Sequence, residues 1–447
     1  MTSNSYILKG SIPKAIIKLT LPTIFGIISI ILFNVVDTFF VGKLGVLELT
    51  AISFTFPIIM FVNSLNLGVA IAVMNLFARI VGEDNLDKKR VLATSSLLIG
   101  LIISIAIALT GYLTIEPLFK ILGAASEVLP LINDYMSIWY WGSFFIIIPM
   151  IGGHILRGLG DTKTPSIIMF GSGLLNCFLD PLLIFGYGHL PALGVKGAAL
   201  ATVLSRMVAI FISLYIQIFR ERLISFKKLT WPKIFQSWRD IFSLALPNVF
   251  IKITTPLGIT FFTWILAVYG NEVVAGYGVA VKIEMFFLTV AIALGISTSI
   301  FAGQNIGAGN LRRAQKGFKY FYLLSFGCGF LYLIILLLGG EYLGSFFNKD
   351  SEVQKTVATY FRIVPWAYIS FFIIQINFSL LNVLRKPKQI GFISIFQTFF
   401  LSVPLAFILS KFFEFQGVFG SIAISLFVTS FISWIVIKSF LFPKSLK

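Results

Sequence analysis

Polar and charged residues along the chain are confined to short intervals between long apolar runs. Runs bounded by charges or by Gly and Pro cover residues 15–41, 49–77, 91–112, 132–154, 165–187 and 196–219, then 241–268, 274–302, 317–339, 358–381, 388–410 and 419–441. Each is long enough to cross a bilayer, which takes about 20 apolar residues in a helix. A transmembrane barrel would instead show alternating segments of about 10 residues. The pattern predicts an all-α integral membrane protein of twelve transmembrane helices.

The runs fall into two related halves. Shifting the first half by 225 places Leu21-Pro22 on Leu246-Pro247, Gly45 on Gly270, Gly82 on Gly307 and Asn85-Leu86 on Asn310-Leu311. Further on, Pro181 and Gly194-Val195 meet Pro404 and Gly417-Val418 at a shift of 223. Six runs per half is an even number, so the halves share one orientation and are related by a pseudo-two-fold axis along the membrane normal. Internal repeats of this kind are characteristic of transporters. The expected division is a six-helix lobe over 1–222, a basic linker over 223–240 and a second six-helix lobe over 241–447.

Charge then orients the chain. With the N-terminus and every second loop on one side, that side holds 25 Lys and Arg. The other holds 7: Lys43, Lys120, Lys196, Lys349, Lys355, Arg362 and Lys411. The bias predicts both termini in the cytoplasm. Such a chain is expected in the cytoplasmic (inner) membrane of a prokaryote, as a monomer in the lipid bilayer. The net charge of +17 is thereby explained without a nucleic-acid partner, for which no polar domain is large enough.

Composition excludes a soluble or disordered protein. Charged residues make up 12% of the chain against about 25% in soluble domains, and 48 Phe stand against 18 acids. The two cysteines, Cys177 and Cys328, fall in apolar runs of different halves and are read as small hydrophobes without a disulfide. Residues 1–20 contain no apolar segment followed by a small-residue cleavage site, so no secretory signal is expected.

Acids inside spans cost about 2.5–3.5 kcal/mol each on insertion scales and therefore require a reason. Three lie well inside: Asp37, Asp180 and Glu284. Counting about 1.5 Å per residue puts Asp37, Asp180 and Thr202 about 6, 10 and 9 Å from the outer end of their spans. Asn34 and Asn176 share a helix face with Asp37 and Asp180 by their spacings of three and four. One oxygen-rich cluster in the first half would accommodate all five. The 225 and 223 shifts pair Asn34, Asp37, Asn176, Asp180 and Thr202 with Ile259, Phe262, Phe399, Val403 and Ser425. Both acids and both amides thus become apolar, which points to function in one half rather than packing in both. Carboxylates, amide oxygens and a hydroxyl suit a proton or Na⁺, and two nearby carboxylates would titrate as a coupled pair.

The remaining intramembrane charges are less specific. Lys282 and Glu284 are two apart and do not share an ideal helix face; with Lys252 they are candidates for a substrate cleft or for polar contacts beside it. Arg206 follows Thr202 by four and could brace the cluster. His154 and His189 lie near span ends with no metal-ligand spacing. No Gly-x-Ser-x-Gly, His-Glu-x-x-His or Walker loop occurs, so neither an enzyme nor an ATP-driven pump is expected. No cofactor is expected beyond H⁺ or Na⁺ as coupling ion.

Several segments together resemble the multidrug and toxic compound extrusion (MATE) family. They are Leu21-Pro22 through Asn34, Asp37-Thr38 and Val41-Gly42; Arg157-Gly158-Leu159-Gly160-Asp161-Thr162-Lys163 with Pro165; Asn176 with Asp180-Pro181; Gly197 through Thr202; and Gly303 through Gly309. The resemblance implies two six-helix lobes forming a V, alternating access, and antiport of organic cations or other drugs against H⁺ or Na⁺. It assigns Asp37, Asn176, Asp180 and Thr202 to a cation site and Pro22 to a bend in the first helix. Some relatives carry an acid in the seventh span, where this chain has Thr255, and the tenth span here has none. The chain therefore resembles the DNA-damage-inducible type of bacterial exporter, which couples through the first lobe. Two rivals remain open: a lipid-linked precursor flippase of the same superfamily, consistent with Lys252 and Lys282, and a non-transporting sensor or channel.

Overall fold

The computed structural model describes residues 5–188, 190–226, 229–347 and 350–441. Among them are helices and no β-strand, apart from a single bridge between Tyr187 and Leu190. His189 lies outside the described residues, as do Lys227, Lys228, Lys349, Lys444 and Lys447 of the charge count.

The first half contains α1 (Ile12–Gly42), α2 (Val46–Gly82), α3 (Leu86–Ile121), α4, α5 (Lys163–Phe185) and α6 (Val195–Tyr215). Helix α4 is bent by 45° between Leu129–Trp141 and Ser143–Gly158. The second half contains α7 (Trp231–Leu266), α8 (Asn271–Gly307), α9 (Leu311–Phe347) and α10, which is Ser351–Ile363 and Tyr368–Val383 joined by a 3-10 turn. The last apolar stretch, Pro387–Ser439, is unbroken by hydrogen bonding, but its 53 residues would extend about 80 Å as one helix, far beyond the bilayer. Phe413 and Glu414 are non-helical and divide it into α11 and α12. With that break and the bent α4 each counted correctly, twelve spans result.

Local chemistry sets the ends. Gly45 and Gly270, with φ of 152° and 109°, precede α2 and α8 at equivalent places in the repeat. Asn85 caps α3 by accepting from the Lys88 backbone N–H at 2.9 Å.

By packing, the chain divides into one unit of Leu21–Val249 and another of Ser5–Thr20 with 250–441. The linear division at 1–222, 223–240 and 241–447 differs from this at two places. Residues 5–20 belong with the second unit, and 231–249 with the first. In the first unit Ile241, Leu244 and Ala245 enter a core with Val73, Phe77 and Ile155. There Trp238 donates to the Ser95 carbonyl at 3.0 Å. In the second unit Ile7, Ile16 and Leu19 are fully or almost fully buried, Thr20 donates to the Ser297 hydroxyl at 2.9 Å, and Arg313 donates to the Ile7 carbonyl. Both changes of unit fall just beside the repeat's matching prolines, Pro22 and Pro247.

The repeat holds, but its later register needs correcting. The Gly160–Arg157 and Asp161–Leu156 backbone bonds recur as Arg385–Asn382 and Lys386–Leu381, still at a shift of 225. The π-helical segment Phe396–Ser402 then adds one residue to α11. Gly197 approaches the Leu183 carbonyl as Gly417 approaches that of Leu409, so the turn between them is shorter by six in the second half. Beyond it the shift is 220: Gly194 (φ 55°, ψ −128°) matches Glu414 (φ 52°, ψ −142°). Ser205, which donates to the Thr202 carbonyl, likewise matches Ser425, which donates to that of Ile422. The partners of Asn176, Asp180 and Thr202 are therefore Ser402, Ala406 and Ile422, not Phe399, Val403 and Ser425. Neither first-half acid has an acidic counterpart under either register.

Close packing identifies positions that tolerate no side chain. A Cβ on Gly68 would lie 2.5 Å from a Val249 methyl and 2.8 Å from its backbone nitrogen, whereas one on Gly171 would meet nothing within 4 Å. Gly68→Ala is expected to cost ~1–3 kcal/mol and lower the melting temperature in detergent. Gly171→Ala is expected to leave it unchanged or raise it, since Ala favours helix over Gly. Differential scanning fluorimetry of the two variants checks both.

Candidate functional site

Helices α5 and α6 are closely packed along their length, and serine hydroxyls bind them further. Ser172 donates to the Ser205 carbonyl at 3.0 Å and Ser205 to that of Thr202 at 2.9 Å. Helix α1 is held differently. Its backbone comes close to α5 at Gly26 against Ser166, and elsewhere the two meet through rings: Phe25 and Phe33 against Phe170, and Phe40 against Phe185.

Between these three helices lies a cavity of about 40 Å³. Asn34 and Asp37 line it from α1, Asn176 from α5, and Thr202 and Arg206 from α6. Phe33, Met169 and Gly173 supply apolar wall, and Phe33 lies so close to Gly173 that a Cβ there would sit 1.9 Å from its ring. Asp180 is one turn beyond Asn176, fully buried, and accepts the Asn176 amide N–H at 3.1 Å. Four of the five predicted residues thus line one cavity, and the fifth is hydrogen-bonded to its wall.

One oxygen of each acid, Oδ1 of Asp37 and Oδ2 of Asp180, is buried without a hydrogen-bond partner. Buried carboxylates are ordinarily paired, protonated or bound to a cation. The volume is enough for one ion or a few waters and far below the 300–1,000 Å³ of a drug-sized pocket. The residues present therefore fit a proton or small hard cation, with Asp37, Asn176, Asp180 and Thr202 as oxygen donors.

Tyr135 on α4 is a neighbour that sequence reasoning missed. It lies within electrostatic reach of both Asp37 and Asp180, at the edge of a core with Ile132, Met136 and Trp139. Its place among apolar residues at helical spacing makes it read as core, and only its hydroxyl hints otherwise. Arg206, expected as a brace, lines the cavity but forms no ion pair among the described residues.

The second-half candidates do not join this cluster. Glu284 accepts from the Tyr360 hydroxyl at 2.8 Å, with Tyr277 nearby and the Tyr368 hydroxyl close but outside hydrogen-bonding geometry. Lys282 is exposed and Lys252 half-buried, and among the described residues neither is in an ion pair. His154 is buried, with Nδ1 2.8 Å from the Met150 carbonyl and Nε2 3.5 Å from Arg157. Pro22 lies inside α1, one residue beyond the point where that helix changes packing unit.

A family model described as MatE matches the chain twice, over residues 22–182 and 247–408. The protein belongs to the MATE family. The double match coincides with the two halves of the repeat. An FAD transporter of Shewanella oneidensis is 33% identical over 402 residues, 90% of this chain and 88% of the relative. A protein of Thermotoga maritima described as the probable multidrug resistance protein NorM is 26% identical over 93% of this chain and 90% of the relative. Among solved structures, the Vibrio cholerae MATE transporter VcmN in its bent form is 26% identical, with a TM-score of 0.91 over 100% of this chain and 99% of that one. This MATE chain is thus a multi-pass membrane transporter by family and by fold.

A cation held by these oxygens stabilises the folded protein by mass action, about 2.7 kcal/mol at a hundredfold excess over its dissociation constant. The melting temperature of the wild type is expected to rise with either Na⁺ or proton concentration. Asp37→Asn and Asp180→Asn, which keep shape and remove charge, are expected to abolish that rise. Thermal melts across NaCl and pH series read it directly.

Proposed function

We propose that this protein is a secondary active efflux antiporter that exports drugs or other small molecules in exchange for H⁺ or Na⁺ by alternating access. The observation that carries this reading is a cavity sized for an ion, lined by Asp37 and bordered by Asp180, each with one buried carboxylate oxygen that lacks a hydrogen-bond partner. In this reading Asp37, Asp180, Asn176, Asn34 and Thr202 are the coupling residues. The basic ends of the spans, with both termini, face the cytoplasm of a prokaryotic cell. The export of drugs is supported by relatives described as a probable multidrug resistance protein in Thermotoga maritima and, at 24% identity, a multidrug export protein in Staphylococcus aureus.

The site suggests how ion and conformation are linked. Asp37 rides on α1, which meets α5 partly through rings, while Asn176, Asp180 and Thr202 ride on the closely packed α5–α6 pair. A cation shared by both sets draws α1 onto that pair. The strain falls near Pro22, where proline offers no backbone N–H to the preceding turn and bending costs least. VcmN, whose structure has a bent form, offers a parallel. Each positive charge that enters through the full membrane field gains about 2.3 kcal/mol per 100 mV, which can drive export uphill.

A second reading concerns the cargo alone. The 33% identical relative is an FAD transporter, and FAD is a dinucleotide anion rather than an organic cation. Lys252 and Lys282, without carboxylate partners among the described residues, would favour such an anion.

Proteoliposomes loaded with a fluorescent cationic dye, and in parallel with FAD, test both readings under imposed ΔpH or ΔNa⁺. Export of one cargo on one gradient is expected, falling to background in Asp37→Asn and Asp180→Asn. Ion-coupled export that persists in both variants would reject the proposed site. No export of either cargo by a well-folded wild type, together with lipid scrambling in the same vesicles, would favour the flippase.

A further inference from the structure

The basic end of the second lobe is unbalanced in a way the first is not. Near the first lobe's basic end, acids offset the cations: Glu83 pairs with Lys88 at 2.9 Å, Asp84 with Lys89 at 3.0 Å, and Asp161 and Glu221 with Arg220. At the equivalent end of the second lobe, segments 5–20, 303–320, 382–390 and 434–441 carry eleven Lys and Arg and no acid at all. An orientation bias explains an excess of cations on one side, but it does not explain why one lobe compensates them and the other does not.

A slot of about 150 Å³ opens at this end, between the first turns of α9 and the last turns of α12. Phe318, Trp434 and Ile437 form its apolar wall, and Lys319 and Lys438 stand at its edge. The Lys438 ammonium lies 4.9 Å from the centre of the Trp434 ring, and both lysines are exposed. Neither is in an ion pair among the described residues. The slot is too small for a drug-sized ligand and is almost wholly apolar below two unpaired cations. An apolar slot capped by two cations at the basic ends of its helices matches an amphiphile with an anionic head.

We propose that this slot binds an anionic phospholipid of the cytoplasmic leaflet, with its phosphate between Lys319 and Lys438 and acyl chain along Phe318, Trp434 and Ile437. The unpaired cations supply selection by charge, since juxtamembrane Lys and Arg attract anionic lipids. The site is distinct from the cation cavity and does not depend on the antiport reading.

Quenching of tryptophan fluorescence by brominated lipids tests it on the full chain in bilayer nanodiscs. The part of the signal that belongs to Trp434 is the difference between wild type and Trp434→Phe. That part is expected to show about a thirtyfold preference for brominated phosphatidylglycerol over brominated phosphatidylcholine. In Lys319→Gln/Lys438→Gln the preference should fall to about one, whereas Lys319→Arg/Lys438→Arg should keep most of it. If the glutamine variant does not fold, the wild-type preference must still shrink as salt is raised. Equal quenching by the two lipids, or a preference that survives the glutamine substitutions, overturns the proposal. Loss of the Trp434 signal on adding glycerol 3-phosphate in bulk would also overturn it, by showing that the slot takes a soluble phosphate instead.

Discussion

Two carboxylate oxygens buried in an apolar bundle without donors, one on Asp37 and one on Asp180, are the constraint around which the first lobe is arranged. Water inside a bilayer is too scarce to satisfy them, and an unpaired polar group there costs several kcal/mol. The available neighbours relieve only part of this. The Asn176 amide serves one oxygen of Asp180, and the serine hydroxyls nearby are spent on backbone carbonyls between α5 and α6. A proton or cation bound there would satisfy the two oxygens left without donors, and that is the condition for an ion to do work on the fold.

How that work reaches the rest of the lobe depends on unequal packing. Helices α5 and α6 are closely packed along their length, whereas α1 meets α5 at Gly26 and through phenylalanine rings and enters a shared core at Val41. A contact built from rings can slide or tilt at lower cost than interlocked backbones, because fewer close contacts are lost at once. Asp37 thus sits on a helix joined to α5 partly through rings, and Asn176, Asp180 and Thr202 sit on the closely packed pair.

The hydropathy pattern made the twelve spans legible, including α11 and α12, which hydrogen bonding alone joins into one stretch. It also isolated Asp37 and Asp180, since acids are rare enough in spans that each one is a signal. Three features were not legible, each for a physical reason. The π-helical segment Phe396–Ser402 adds a residue without altering the apolar pattern, so the register beyond it could not be read from composition. Tyr135 keeps core spacing, so nothing marks it as a neighbour of the two acids. The membership of 5–20 and 231–249 in the opposite packing units is a tertiary fact, because both segments are continuous with the helices that follow them.

The corrected register sharpens the contrast between the lobes. Where the first lobe has Asp37, Asp180 and Thr202, the second has Phe262, Ala406 and Ile422. There the counterparts of α1 and α5 meet through Phe261 against Phe399 and Trp264 against Phe407, so the ring-mediated contact is retained while the oxygens are lost. The second lobe's own half-buried acid, Glu284, accepts a hydrogen bond from Tyr360 beside the α8–α10 core. Both lobes therefore join their first and fifth helices through rings, but only the first sets buried carboxylate oxygens without a donor beside that contact. The repeat thus keeps the ring contact in both halves and the buried carboxylates of Asp37 and Asp180 in one.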